Sequence, residues 1–184
     1  MKNVHALLVG CLISTASFAQ TSKAPVQPLT VAQVQTQTQT LTIDASDKTN
    51  FVYLGLEDGK LVPVAETDTW IFGVRRYIFK TQTGSNGAST GGAYVGAQGE
   101  DFKTVTTCEE KTFEPDEVIT MLGYTISANA LITSEWYDYD DTGAVTPLDK
   151  FFAISRDSDC FKFKVLSYAT GVYEIQYEQL NVVR

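Results

Sequence analysis

Apolar and polar residues alternate with a period of two along much of this chain. In Phe161-Lys162-Phe163-Lys164-Val165 the odd positions are apolar and the even ones charged, and Tyr173-Glu174-Ile175-Gln176-Tyr177-Glu178 repeats the pattern. Successive strand side chains point to opposite faces, so each segment reads as a strand with one face on a core and one in water. Ala169-Thr170-Gly171 makes a turn between them, and the two predict a hairpin. Phe51 to Leu56 and Leu61 to Ala65 predict a second hairpin around Asp58-Gly59. Trp70 to Thr81 is a longer run, apolar on both parities until Arg75, which predicts a central strand covered on both faces. Thr40 to Ile43, Ala93 to Gly96 and Phe151 to Ser155 are shorter strand candidates. Asp116 to Leu122 fits one helical turn after Pro115, while Val118-Ile119-Thr120 favours a strand equally. The expected fold class is all-β, with two packed, mostly antiparallel sheets and little helix.

The N-terminus changes that picture. Residues 1–19 read as a signal peptide: Lys2 gives a positive start, Ala6 to Ile13 an apolar run, and Ser17-Phe18-Ala19 a small-x-small cleavage site. The run is short of the about 20 apolar residues that a membrane helix needs, and no other segment comes closer. Leu8-Val9-Gly10-Cys11 also fits a lipobox, which would leave Cys11 lipidated at a new terminus. Residues 20–39 are a Thr- and Gln-rich linker with nothing to bury, and are expected to be disordered. Residues 40–184 make one domain, with aromatic residues enough for a single core. The whole chain carries a net charge of −8. An acidic surface repels phosphate backbones, which argues against nucleic acid as a partner. Cys108 and Cys160 remain after cleavage, and an even pair in an oxidising compartment predicts a disulfide.

Chemistry is narrowed by what is missing. The one histidine, His5, lies in the leader, so triads, imidazole bases and His-rich zinc sites are excluded from the exported part. No catalytic set and no metal site is assigned, and the protein is expected not to be an enzyme. Twenty-two acidic residues guarantee some close carboxylate pair, so such a pair carries no signal for glycoside hydrolysis. The loop Gly84 to Gly92 lacks the Gly-Lys-Ser/Thr ending of a phosphate loop and reads as a flexible connection, placed where it could line a ligand mouth. Asp138-x-Asp140-x-Thr142-Gly143 with Asp149 has calcium-loop spacing, but its flanks are aromatic strand residues and Asp141-Thr142-Gly143 reads more simply as a hairpin turn. Trp70, Trp136 and the tyrosines are core aromatics first and stacking surfaces for a flat ligand second. Arg76, inside an apolar strand, is expected to meet a buried acid or carbonyl.

Two blocks carry a resemblance. The first is Trp70-x-Phe72-Gly73-Val74-x-Arg76-Tyr77-x-Phe79-Lys80-Thr81, then Thr83-Gly84 and a loop closing on Gly91-Gly92-Ala93. The second is Trp136-Tyr137, Thr146-Pro147, Phe152-Ala153-Ile154-Ser155-Arg156 and Phe161 to Tyr168. In this order and spacing they resemble the HmuY-like haem-binding proteins of Gram-negative bacteria. Ser158 and Cys160 depart from the family's usual Gly and aromatic, and Tyr94 to Glu135, the segment that supplies axial ligands in haem-binding members, holds no histidine. The resemblance implies an exported protein, in the periplasm, at the outer-membrane surface or outside the cell. It also implies capture of haem, or another flat apolar ligand, for an outer-membrane receptor. In the ligand-supplying segment Met121 offers a thioether and Tyr124 a phenol, and Arg76 is a candidate partner for a propionate. Packing is the commoner role of a lone methionine. A ligand protein predicts an apolar cleft between the sheets near Met121. The alternative is a structural or protein-interaction module that keeps the fold and has lost haem ligation, which predicts a filled core.

Overall fold

The computed structural model describes residues 37–109, 111–121, 124–128 and 136–181, with backbone only for Met121 and residues 124–128. The leader, Cys11 and most of the linker lie outside the described residues. The body is all-β. One sheet has five antiparallel strands in the order β1-β13-β12-β11-β6: β1 (Gln39–Asp44), β6 (Gly91–Val95), β11 (Phe152–Arg156), β12 (Asp159–Ala169) and β13 (Val172–Gln179). The other has four in the order β3-β2-β4-β5: β2 (Val52–Glu57), β3 (Lys60–Val64), β4 (Phe72–Arg75) and β5 (Ile78–Thr81). Two further hairpins pair only with themselves, β7 (Glu117–Met121) with β8 (Tyr124–Ala128), and β9 (Tyr137–Tyr139) with β10 (Val145–Pro147). The helix among the described residues is one 3-10 turn, Gly84–Asn86.

Alternation explains the main sheets. Phe161, Phe163 and Val165 of β12 and Tyr173, Ile175 and Tyr177 of β13 turn one way, and meet Leu54, Leu61, Phe72, Val74 and Phe79 of the other sheet in one core. Rings interlock across the gap: Phe72 lies 5.4 Å from Phe163 and Phe79 lies 5.4 Å from Tyr173, centroid to centroid. Among the described residues the facing sheets meet ring against ring, which gains both area burial and ring–ring attraction. The surroundings of Met121, where a cleft is expected, lie outside the described residues.

Two expectations need correcting. The run from Trp70 to Thr81 is not one strand. It turns back at Arg76-Tyr77, so that Arg75 pairs with Ile78 and Phe72 with Thr81. Arg76 occupies the left-handed region, with φ of 53°, and lies in the turn rather than in a strand. The run looked continuous because Phe72, Gly73 and Val74 are buried on both faces. The second correction concerns the polar face of β12. Lys162 is fully buried, not solvated. Its ammonium donates to the carbonyls of Phe102 (2.6 Å) and Val105 (2.7 Å) and pairs with Glu178 at 3.2 Å. A loop carrying Phe102, Val105 and Cys108 covers this side of the sheet and forms a second core with Phe151, Cys160 and Leu180. Cys108 and Cys160 stand at disulfide distance there, with Cα atoms 6.6 Å apart.

Candidate functional site

The hairpin β7–β8 carries the sequence's ligand candidates. Its ladder sets Met121 opposite Tyr124 at the tip end and Glu117 opposite Ala128 at the base. The side chains of Met121 and Tyr124 lie outside the described residues. The ambiguous segment after Pro115 is thus strand, as its β-branched trio Val118-Ile119-Thr120 allows. Val118 is 61% exposed, so the hairpin shows apolar surface to solvent.

Its base is held with care. Asp116, 1% exposed, accepts the Thr81 amide (3.0 Å), the Thr81 hydroxyl (2.8 Å) and the Asn86 side-chain amide. The glycine loop closes on the same point. The Ser85 amide donates to the Asp116 carbonyl at 2.7 Å, and Ala93 and Glu114 exchange backbone bonds of 2.8 Å each way. A Cβ on Gly84 would overlap the Asp116 carbonyl, and one on Gly92 the Glu114 carbonyl, with φ positive at both. The loop read as a flexible connection is a close-fitting collar around the hairpin's root, and its glycines are there because backbone passes against backbone.

Arg76 is not at this root. Thr81, at one end of β5, meets Asp116, while Arg76 lies in the turn before the other end. Four residues separate them, Tyr77 of the turn and Ile78 to Lys80 of the strand, roughly 16 Å of extended chain. Arg76 also has no buried acid. Its backbone is gripped instead: its amide donates to the Ala45 carbonyl at 2.7 Å, and its carbonyl accepts the Tyr173 hydroxyl. Burial holds the Tyr173 phenol protonated far above the usual tyrosine range, so it stays a donor. The guanidinium has no hydrogen-bond or ion-pair partner among the described residues.

Around Arg76 the structure gathers aromatic residues that the sequence had scattered. Trp136, Tyr137, Tyr168 and Tyr173 form a contiguous ring cluster, with Trp136 4.7 Å from Tyr137 and 5.3 Å from Tyr168. Trp136 and Tyr173 are buried, whereas Tyr77 and Tyr139 are 44% and 52% exposed. A cleft of about 360 Å³ opens here, between the β4–β5 turn and the β9–β10 hairpin. The calcium-like acidic motif forms that hairpin's turn. Asp140 accepts the Thr142 amide (2.9 Å), the Thr142 hydroxyl (2.6 Å) and the Ala144 amide (2.9 Å), so its carboxylate closes a turn. No group of three or more His, Cys, Asp or Glu side chains able to hold a metal ion occurs among the described residues. No helix among them is long and apolar enough to cross a membrane.

Donor chemistry limits what an iron porphyrin would find. Haem iron takes imidazole, thiolate, thioether or phenolate. Residues 37–181 hold no histidine, and Cys108 and Cys160 stand at disulfide distance from each other, which leaves Met121 and tyrosines there. These fit the group chemically, through one thioether or phenol at the hairpin. Met121 and Tyr124 are register partners on the hairpin's ladder.

A search among curated proteins finds no match. The family model described as HmuY protein matches residues 47–177, well over half of the chain and nearly all of the two-sheet body. The chain belongs to the HmuY protein family.

Proposed function

We propose that this protein is an exported ligand-capture protein that takes up haem at the β7–β8 hairpin and presents it to an outer-membrane receptor. Family membership is the observation that carries the reading. The hairpin supports it: a two-stranded ladder outside both sheets, anchored rigidly through Asp116, exposing Val118 and setting Met121 beside Tyr124 in register. An isolated hairpin of this kind is marginal in water and gains from an apolar partner. The described core between the sheets is packed with aromatic rings, which supports a guest lying against the hairpin. One residue of the hairpin supplies the axial donor, Met121 by its thioether or Tyr124 by its phenol. The role is binding, not catalysis. The leader at residues 1–19 exports the chain, with Cys11 as the anchor if it is lipidated.

Haemin titration tests this. A saturating Soret shift at one haemin per chain is expected, weakened at least tenfold by Met121→Ala or by Tyr124→Phe, whichever removes the donor. A protein that leaves the Soret band of free haemin unchanged refutes haem capture. The filled aromatic interior specifically favours a second reading, a module that keeps the family fold and interacts through its surface. That reading is the one left standing after a null titration.

A further inference from the structure

The cleft beside Arg76 is a second site, apart from the hairpin root. We propose that it binds an acidic sugar, a uronic-acid unit of a glycan, with the Arg76 guanidinium pairing the carboxylate and Tyr77 and Tyr139 packing against the ring.

Charge is the first argument. In a chain of net charge −8, four of the six other buried or half-buried cations among the described residues lie against a carboxylate. Lys80 lies near Glu66, Lys111 bonds Glu100, Arg156 lies near Asp157 and Lys162 pairs with Glu178. Arg76 has no ion-pair partner among the described residues, and no described carboxylate lines its cleft. A separate hollow of about 250 Å³ shares Arg76 and Tyr77 and adds Lys48 and Arg75. Of these, Arg75 is already engaged with the Thr49 carbonyl at 3.0 Å and the Phe51 ring. Asp47 stands close by, but its carboxylate is taken up by the amides of Thr49 and Asn50. Asp140, on the facing hairpin, is likewise taken up by its own turn.

Backbone strain is the second argument. Among the described residues, four that are not glycine have positive φ, and two of them, Arg76 and Thr170, border this cleft. A turn that needed only its shape would carry Gly or Asn at such a position. An arginine held there, with amide and carbonyl both clamped, points to use of its side chain.

Shape is the third. The walls mix tyrosine rings with hydroxyls and backbone groups of Gly143 and Thr170, and both flanking rings reach solvent. A sugar presents C–H faces to rings and hydroxyls to polar edges, whereas a porphyrin needs an apolar slot. Guanidinium and carboxylate meet in a paired, two-pronged geometry that a neutral sugar lacks.

Trp136 lies directly behind Tyr137 and Tyr168, so its fluorescence reports occupancy. The full-length exported chain is titrated with oligogalacturonate and with a neutral oligosaccharide of equal length. Saturable binding of the acidic oligomer is expected, at least tenfold tighter than the neutral one. Arg76→Gly relieves the backbone strain, so its Tm is expected to be unchanged or higher while acid-sugar binding falls at least tenfold. Tyr139→Ala, at an exposed position, is expected to weaken binding to a similar degree. Equal binding of both oligomers, binding of neither, or acid-sugar affinity unaltered in Arg76→Gly overturns the proposal. So does metal-free protoporphyrin outcompeting the acid sugar for the cleft.

Discussion

Glu100 shows how single charges are managed in this acidic chain. Burial acts to raise its pKa, but bonds from the Lys111 ammonium, the Tyr94 hydroxyl (2.6 Å) and the Ala97 amide (3.0 Å) outweigh burial and hold it at about 2. A carboxylate depressed in the folded state stabilises the fold above its ordinary pKa of 4.5, and that contribution is lost as pH falls from there towards 2. Asp47, held at about 2 by the amides of Thr49 and Asn50, acts in the same direction. Urea unfolding at stepped pH is expected to show stability declining between pH 5 and 2, with a shallower decline in Glu100→Gln. An equal slope in the variant would remove Glu100 from the account. Of the candidate residues, Arg76 was legible as unusual but its setting was not. Nothing in Arg75-Arg76-Tyr77 announces a left-handed turn, because the clamping partners, Ala45 and Tyr173, lie far away in sequence. Lys162 was misjudged for a similar reason: alternation tells which face a residue takes, not whether a distant loop covers that face.

Among the elements, β2, β3, β12 and β13 stand close to where period-two alternation and glycine turns placed them. The glycine loop and the β7–β8 hairpin were harder, because each depends on the other. Asp116 satisfies the Thr81 amide and the loop's Asn86 at once, so it fixes where the hairpin leaves the body. Removing it strands a buried amide and frees the loop. Asp116→Ala is expected to cost about 3 kcal/mol in urea unfolding, and to expose residues 84–92 to limited proteolysis. A loss below about 1 kcal/mol, with the loop still resistant, would show that the collar stands without its carboxylate. The long Trp70–Thr81 run misled because burial on both faces of β4 erased the alternation that marks a strand's limits.

For the molecule as a whole, three layers account for the burial: the four-stranded sheet, the five-stranded sheet, and the loop that caps the latter around Lys162. The pair Cys108 and Cys160, 52 residues apart, ties this third layer down. Closing a loop of that length contributes about 4 kcal/mol in the chain-entropy model. Reduction is therefore expected to lower Tm by about 10 °C. A Tm that does not respond to reductant would mean that the second core holds the loop unaided.

Local information lay on the chain itself. Alternation and turn glycines are read from neighbouring residues, and from them came the all-β class and most strand positions. Tertiary structure decided the remainder. Whether the sheets leave room for a guest, where Arg76 points its charge, and why Gly84 and Gly92 admit no side chain depend on groups far apart in sequence meeting at van der Waals distance. No local pattern encodes such contacts, because close packing is a property of the assembled volume rather than of any segment.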